Sequence, residues 1–194
     1  ATIVVAPSDH LIIDTHAFLA SIQQSLKTAA KHDCLVTLGI KPSRPDTGYG
    51  YIQYSNFKID TDFFKVKTFT EKPDLEIAKT FVQSGDFLWN AGIFIWSAKA
   101  IIHAFEKHLP DISDIFREGD TAYNTDKEQA FIQRAYSLCT NISIDYGIME
   151  KAHNVYVLPS EFGWSDLGTW ASIYDLSEKD RHGNVIAKKS RVML

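Results

Sequence analysis

Ala1-Thr2-Ile3-Val4-Val5-Ala6-Pro7 and Cys34-Leu35-Val36-Thr37-Leu38-Gly39-Ile40 are the two runs on which the fold reading turns. Both are short and apolar. The first is β-branched and closed by Pro, and each reads as a buried strand inside a sheet covered on both faces. Between them, Asp14-Thr15 offers a helix N-cap, and Phe18, Ile22, Leu26 and Ala29/Ala30 recur at helical spacing. That predicts an amphipathic helix over residues 15–32. Strand, crossover helix and strand predict a βαβ unit whose two strands form a parallel pair.

Working outward, Lys41-Pro-Ser-Arg-Pro-Asp-Thr-Gly48 is a turn-rich loop leading into a strand at Tyr49–Tyr54. Phe63–Thr70 alternates like a half-exposed strand, with residues 56–62 expected as the hairpin connection. Helices are expected over 74–84 and 97–108, in an acid-rich region reaching about residue 138, and over 169–176. Further strands are expected at 89–96 and 154–158. With no repeat, low-complexity tract or linker, the fold class is α/β: a mixed, mainly parallel central sheet flanked by helices. The chain opens without Met, directly on an apolar strand, and Ser190–Leu194 is again strand-like. Both ends therefore suggest part of a longer protein.

Composition narrows the function. The chain has 194 residues, 45% of them hydrophobic, with 20 Lys+Arg against 24 Asp+Glu for a net charge of −4. The apolar fraction excludes a disordered chain. The acidic balance argues against nucleic acid as a partner. No apolar run approaches the ~20 residues of a membrane span. Two distant cysteines, Cys34 and Cys139, make neither a CxxC nor a disulfide framework, so a cytoplasmic protein is expected. The seven His lack zinc spacing, and there is no GxSxG, GxGxxG or GxxxxGK[ST] motif.

Several polar residues sit where an open sheet collects ligands, past its strand ends. Asp9, in Pro7-Ser8-Asp9-His10, either holds a hard cation or caps a turn. Asp166 lies in Gly163-Trp164-Ser165-Asp166-Leu167-Gly168-Thr169-Trp170, flanked by Gly and Trp; it is a ligand-facing carboxylate or a turn residue. In Phe69-Thr70-Glu71-Lys72-Pro73, adjacent Glu71 and Lys72 point to opposite sides of an extended chain. Glu71 suits sugar hydroxyls and Lys72 suits phosphate, unless both are solvated. Asn90, in Trp89-Asn-Ala-Gly-Ile-Phe94, binds a ligand or caps a turn. Asp145 sits in the first turn of a short helix capped by Ser143.

Taken in order, Pro7–His10, Thr47-Gly-Tyr-Gly-Tyr-Ile52, Phe69–Pro73, Trp89–Phe94, Ser143-Ile-Asp-Tyr-Gly-Ile-Met-Glu-Lys151 and Gly163–Trp170 resemble the mannose-1-phosphate guanylyltransferases. The resemblance covers residues 3 to about 170, with Ser8 and Ala91 where the family usually has Ala and Ser. It implies a nucleotidyltransferase fold and a Mg²⁺-dependent reaction of GTP with mannose 1-phosphate, giving GDP-mannose and pyrophosphate. On that resemblance Asp9 and Asp166 would hold Mg²⁺, and Lys72 would neutralise the sugar phosphate. Glu71 would bind sugar hydroxyls, Gly48 and Tyr49 would bring backbone close to the sugar, and Asn90 and Asp145 would complete its pocket.

The family's Gly-rich GGxGTRLxPLS loop does not occur in this chain. Residues 1–194 are therefore expected to be the sugar- and metal-binding half of a catalytic domain, preceded by roughly two strand–helix units of about 30 residues each. The family continues beyond the equivalent of Leu194, often into a β-helix. A homo-oligomer is left open. The alternatives are a related enzyme for another sugar or base, and a catalytically silent regulatory subunit of the same fold.

Overall fold

In the computed structural model, which describes residues 1–168, 173–174 and 177–185, six strands form one central sheet. They are β1 (Thr2–Val5), β3 (Leu35–Ile40), β4 (Gly50–Ile59), β5 (Phe63–Glu71), β6 (Phe87–Ser97) and β7 (Val155–Ser160). Their spatial order is β1-β6-β3-β7-β5-β4, with β4 also pairing the first part of β6. A separate ribbon joins β2 (Leu11–Ile12) to β8 (Trp164–Ser165). The helices are α1 (Thr15–Lys31), α2 (Leu75–Ser84), α3 (Ala98–His108), α4 (Pro110–Arg117) and α5 (Glu128–Leu138).

The mixed sheet flanked by helices is the expected class, but its strand directions differ from the expectation. Among the described residues β3–β7 is the parallel pairing; the others run antiparallel. The expected β1–β3 pair is parallel in direction without being adjacent, because β6 lies between them, antiparallel to both. Eleven residues long, β6 reaches both neighbours and still pairs with β4. Nor is β1 buried: Val5 is 45% exposed, and among the described residues β1 is bonded within the sheet only to β6.

Helices cover the two faces of the sheet. On one, α1 packs Ala29 and Phe18 against Val36, Leu38, Ile93 and Ile95. On the other, Ala100, Ile101 and Ala104 of α3 join Leu35, Phe94, Trp96 and Val157. Three of the helices begin on a side-chain cap, the one at Asp14 being the cap expected from the sequence. Asp14 accepts the N–H of His16 and of Ala17 at 3.0 Å, Asp74 accepts that of Ile77 at 2.9 Å, and Ser97 that of Ala100 at 3.0 Å.

The β4–β5 connection is shorter than expected: β4 continues to Ile59, and the turn occupies residues 60–62, with Asp60 left-handed at φ 49°. The segment around Asp145 is a π turn, Asp145–Met149, which buries Gly147, Ile148 and Met149. Most of the helix expected over 169–176, and the strand expected at 190–194, lie outside the described residues.

Candidate active site

Three strands deliver polar side chains to one end of the sheet. Gly50 opens β4 opposite Glu71, the last residue of β5. Asn90 of β6 pairs with Gly39 of β3. Gly50 makes room here: a Cβ would overlap Glu71 Oε2, so the carboxyl would have to move, and would come within 3.3 Å of Asn90 Cβ. The missing side chain is the space that the Glu71 carboxyl fills. From above, the π turn supplies Asp145, whose Oδ1 accepts a hydrogen bond from Asn90 Nδ2 at 3.0 Å.

Glu71 is the unusual group. Its side chain is 11% exposed, and Oε2 is buried without a hydrogen-bond partner. An orphaned carboxylate oxygen costs free energy unless a ligand or solvent donor reaches it. Burial first, then the neighbouring Asp145 and Glu150 carboxylates, push its pKa up to about 7 against the pull of Lys72. Burial likewise raises Asp145, opposed by hydrogen bonds that include the one from Asn90. Glu150, which the sequence reading quoted without a role, accepts the Glu71 N–H at 3.3 Å.

Lys72 departs from the expected alternation. It adopts φ +48°, so the pleat ends there and its Nζ returns to 3.8 Å from Glu71 Oε1 rather than pointing away. A left-handed Lys directly before Pro73 is strained, since both the side chain and the following ring disfavour it. The Lys72 N–H to Tyr49 carbonyl bond at 3.2 Å pins it there. Its side chain remains 61% exposed, leaving the ammonium open to an anion. Backbone strain of this kind gathers at ligand-binding positions.

Asp166 is reached through Tyr49. The phenol donates to Asp166 Oδ1 at 2.8 Å across 117 residues of sequence, and Gly168 N–H donates to the same oxygen at 3.1 Å. Edge-on contacts with Trp89 and Trp164 hold the Tyr49 ring. Tyr49 thus contributes a side-chain hydroxyl where backbone proximity was expected. Gly48 lies apart from the Glu71 group, its N–H bonded to Asp46 Oδ1 at 2.9 Å.

The β2–β8 ribbon brings the Asp9 and Asp166 segments side by side. Leu11 pairs with Ser165, so the same register sets His10 opposite Asp166 with Asp9 next to it. Trp164 Nε1–H donates to His10 Nδ1 at 3.1 Å and ties the two segments further. Asp9 itself is exposed.

Two carboxylates on adjacent segments are the hard oxygen donors that Mg²⁺ takes, and Mg²⁺ commonly completes its shell with water and substrate phosphate. Among the described residues no group of three His, Cys, Asp or Glu could hold a metal alone. An ion held by Asp9 and Asp166 would need its remaining oxygens from water or a ligand.

The sequence reading did not single out Thr37, Glu150 or the Tyr49–Trp89–Trp164 aromatic group. Thr37 carried the one available signal, as a polar residue inside an otherwise apolar strand.

The chain is 35% identical over 188 residues to a mannose-1-phosphate guanylyltransferase of Escherichia coli, which covers 94% of this chain and 40% of that protein. It is 38% identical over 183 residues to the xanthan biosynthesis protein XanB of Xanthomonas campestris, covering 94% of this chain and 38% of that one. It therefore spans about two fifths of the curated relatives it matches.

Two solved structures share its fold. One, described as mannose-1-phosphate geranyltransferase of Thermus thermophilus, has TM-score 0.80 and 30% identity, over 93% of this chain and 51% of that chain. The other, described as mannose-6-phosphate isomerase of Helicobacter pylori, has TM-score 0.69 and 29% identity, over 84% and 63%. The family model for nucleotidyl transferases matches residues 1–183, nearly the whole sequence, and the chain belongs to the nucleotidyl transferase family.

Proposed function

We propose that this chain carries the sugar-phosphate site of a mannose-1-phosphate guanylyltransferase, which joins GTP and mannose 1-phosphate into GDP-mannose and releases pyrophosphate. The observation behind the reading is Glu71: a buried carboxylate with one unpartnered oxygen, set beside Asn90, Asp145 and a strained, exposed Lys72. A sugar hydroxyl supplies the donor that Glu71 Oε2 lacks. The same ligand's phosphate lies within reach of the Lys72 ammonium.

In this reaction a sugar-phosphate oxygen forms the new bond to the α-phosphorus of GTP. The bond from that phosphorus to the bridging oxygen breaks, and pyrophosphate leaves. The attacking oxygen is already ionised near pH 7, so no general base is needed. The chain's own groups supply position and charge neutralisation. Glu71, Asn90 and Asp145 hold the sugar, and Lys72 offsets the phosphate charge. Asp9 and Asp166 would hold Mg²⁺, whose contribution when bound is neutralisation of phosphate charge. Tyr49 orients Asp166 through its hydroxyl.

The relatives named for mannose 1-phosphate support the sugar and the base. The presence of Asp9, Lys72 and Asp166 speaks against a silent regulatory subunit, which has no need of metal and phosphate ligands. A thermal-shift titration with GDP-mannose and Mg²⁺ tests the reading, with GDP-glucose, UDP-glucose and an Asp166→Asn variant alongside. Stabilisation that grows with ligand concentration, prefers mannose and is lost in the variant is expected. Equal response to the glucose nucleotides would overturn the choice of sugar. Silence with every ligand, in this chain and again in a protein extended upstream to include the Gly-rich loop, would overturn the site.

A further inference from the structure

We propose that Thr37 is a positioning residue: its buried hydroxyl anchors the Asn90 amide in the orientation that the Gly92 N–H selects, and through Asn90 it sets how Asp145 faces a bound sugar. This rests on the sugar-site reading above and deepens it.

Thr37 sits mid-strand in β3 with no exposed surface, and it shares a sheet face with Leu35, toward the π turn that carries Asp145. Its Oγ1 lies 2.9 Å from Asn90 Oδ1 and 3.2 Å from the Ile93 carbonyl. A hydroxyl can donate or accept, so this pair alone does not say which end of the amide faces Thr37.

A second contact decides it. The ladder between β3 and β6 slips between Thr37 and Gly39, so that Ala91, Gly92 and Ile93 bulge opposite Leu38. Gly92, left-handed at φ 68°, thereby turns its N–H onto Asn90 Oδ1 at 3.2 Å. A backbone N–H can only donate, so the atom facing it is the amide oxygen.

Asn90 Oδ1 then accepts from Gly92 N–H and from Thr37 Oγ1–H, whose single proton lies nearer to this oxygen than to the Ile93 carbonyl. Nδ2 must point outward, and it gives one hydrogen to Asp145 Oδ1. Its second hydrogen is the one a ligand can take. The mouth of the site therefore presents an amide donor directly beside a carboxylate acceptor, a pattern that reads two neighbouring hydroxyls on a sugar ring. Flipping the amide would set its NH₂ against the Gly92 N–H and its oxygen against the Asp145 carboxylate, two repulsive contacts in a buried place. Without the Thr37 hydroxyl, Gly92 and Asp145 still oppose that flip, but Asn90 Oδ1 loses its shorter hydrogen bond and the amide is held less firmly against Asp145.

The test compares Thr37→Val, which keeps the shape and removes the hydroxyl, with Thr37→Ser, which keeps the hydroxyl. The readouts are the Asp145 carboxyl titration by carbon NMR without ligand, and calorimetric affinity for mannose 1-phosphate. In Thr37→Val the Asp145 midpoint should rise by about half to one pH unit, because a hydrogen bond to its charged form is weakened. Affinity should fall about tenfold, the effect of one such contact. Thr37→Ser should restore both, which a packing role for Thr37 would not do.

An unchanged Asp145 midpoint in Thr37→Val overturns the proposal. A shifted midpoint in a chain that binds no mannose 1-phosphate supports the positioning role and overturns the sugar-site reading instead. If Thr37→Val does not fold, Thr37→Ala carries the same readouts.

Discussion

β5 has a carboxylate at each end, and the two live in opposite states. Asp60, in the turn just before the strand, accepts from Lys31 Nζ at 2.7 Å and Thr28 Oγ1 at 2.8 Å, with His32 Nε2 at 3.2 Å. These hydrogen bonds hold its carboxyl well below the usual carboxylate range. Roughly 30 Å along the strand, Glu71 is buried, has an unpartnered oxygen and is pushed up to about 7. Asp60 has its charge answered within the protein, and it fastens the β4–β5 turn to the end of α1. Glu71 has only the exposed Lys72 ammonium, 3.8 Å from its other oxygen, and its Oε2 is left without a partner. On the proposed reading, that difference separates a structural carboxylate from a ligand-binding one.

The contrast can be broken in several ways. Its largest expected effect lies on the functional side. In the full-length protein, Asp166→Asn should lower the rate of GDP-mannose formation by about 10²–10³, the usual cost of one transition-state contact, while melting temperature stays near that of the parent. Near-normal turnover would remove Asp166 from the mechanism.

Glu71 carries the next effect, in stability. Its folded pKa is raised, so between about 4.5 and 7 the folded state keeps a proton that the unfolded state has lost. Stability should therefore fall as pH rises through that window and level off above it, by about 1–2 kcal/mol once solvent screening is allowed for. Denaturant titrations from pH 4 to 8 should show this slope in the parent and lose it in Glu71→Gln. Gly50→Ala sharpens the point. Its Cβ needs the space of Glu71 Oε2, so the carboxyl should be displaced toward water and the slope should flatten although Glu71 is still present.

The smallest effect belongs to Asp60. Its folded pKa is lowered, so its stabilisation is present above the unfolded value and disappears as pH falls through the folded one. Asp60→Asn should lower the melting temperature at neutral pH, shrink that loss in acid, and leave sugar-nucleotide binding unchanged. Weakened binding in this variant would undo the division of roles between the two ends of β5.

Much of this was legible in advance because the signals are local. The caps at Asp14, Asp74 and Ser97 need only a side chain and the next turn of backbone, and they fall where the sequence places them. The extent of α1 and β3 followed from periodicity. The strand partners did not. Nothing in Ala1–Pro7 or Cys34–Ile40 indicates that a strand some fifty residues further on would lie between them. Lys72 also escaped local reading, since its left-handed backbone goes against its own preference and that of the following Pro, and is held by a bond to Tyr49.

The sequence by itself determined the extent of α1, α2 and α3, the main strands and the set of polar segments, because each depends on neighbours within a turn or a strand. Tertiary structure alone decided which of those residues meet. The Tyr49–Asp166 bond, the Gly50 cradle under Glu71 and the Thr37–Asn90–Asp145 chain span 117, 21 and 108 positions of sequence. Such contacts depend on strand order and on one bulge in β6, which emerge when the whole sheet pairs and its two faces are covered. The charge state of Glu71 belongs to that second group: a carboxyl is ordinary until the fold removes its water and gives it no donor in exchange.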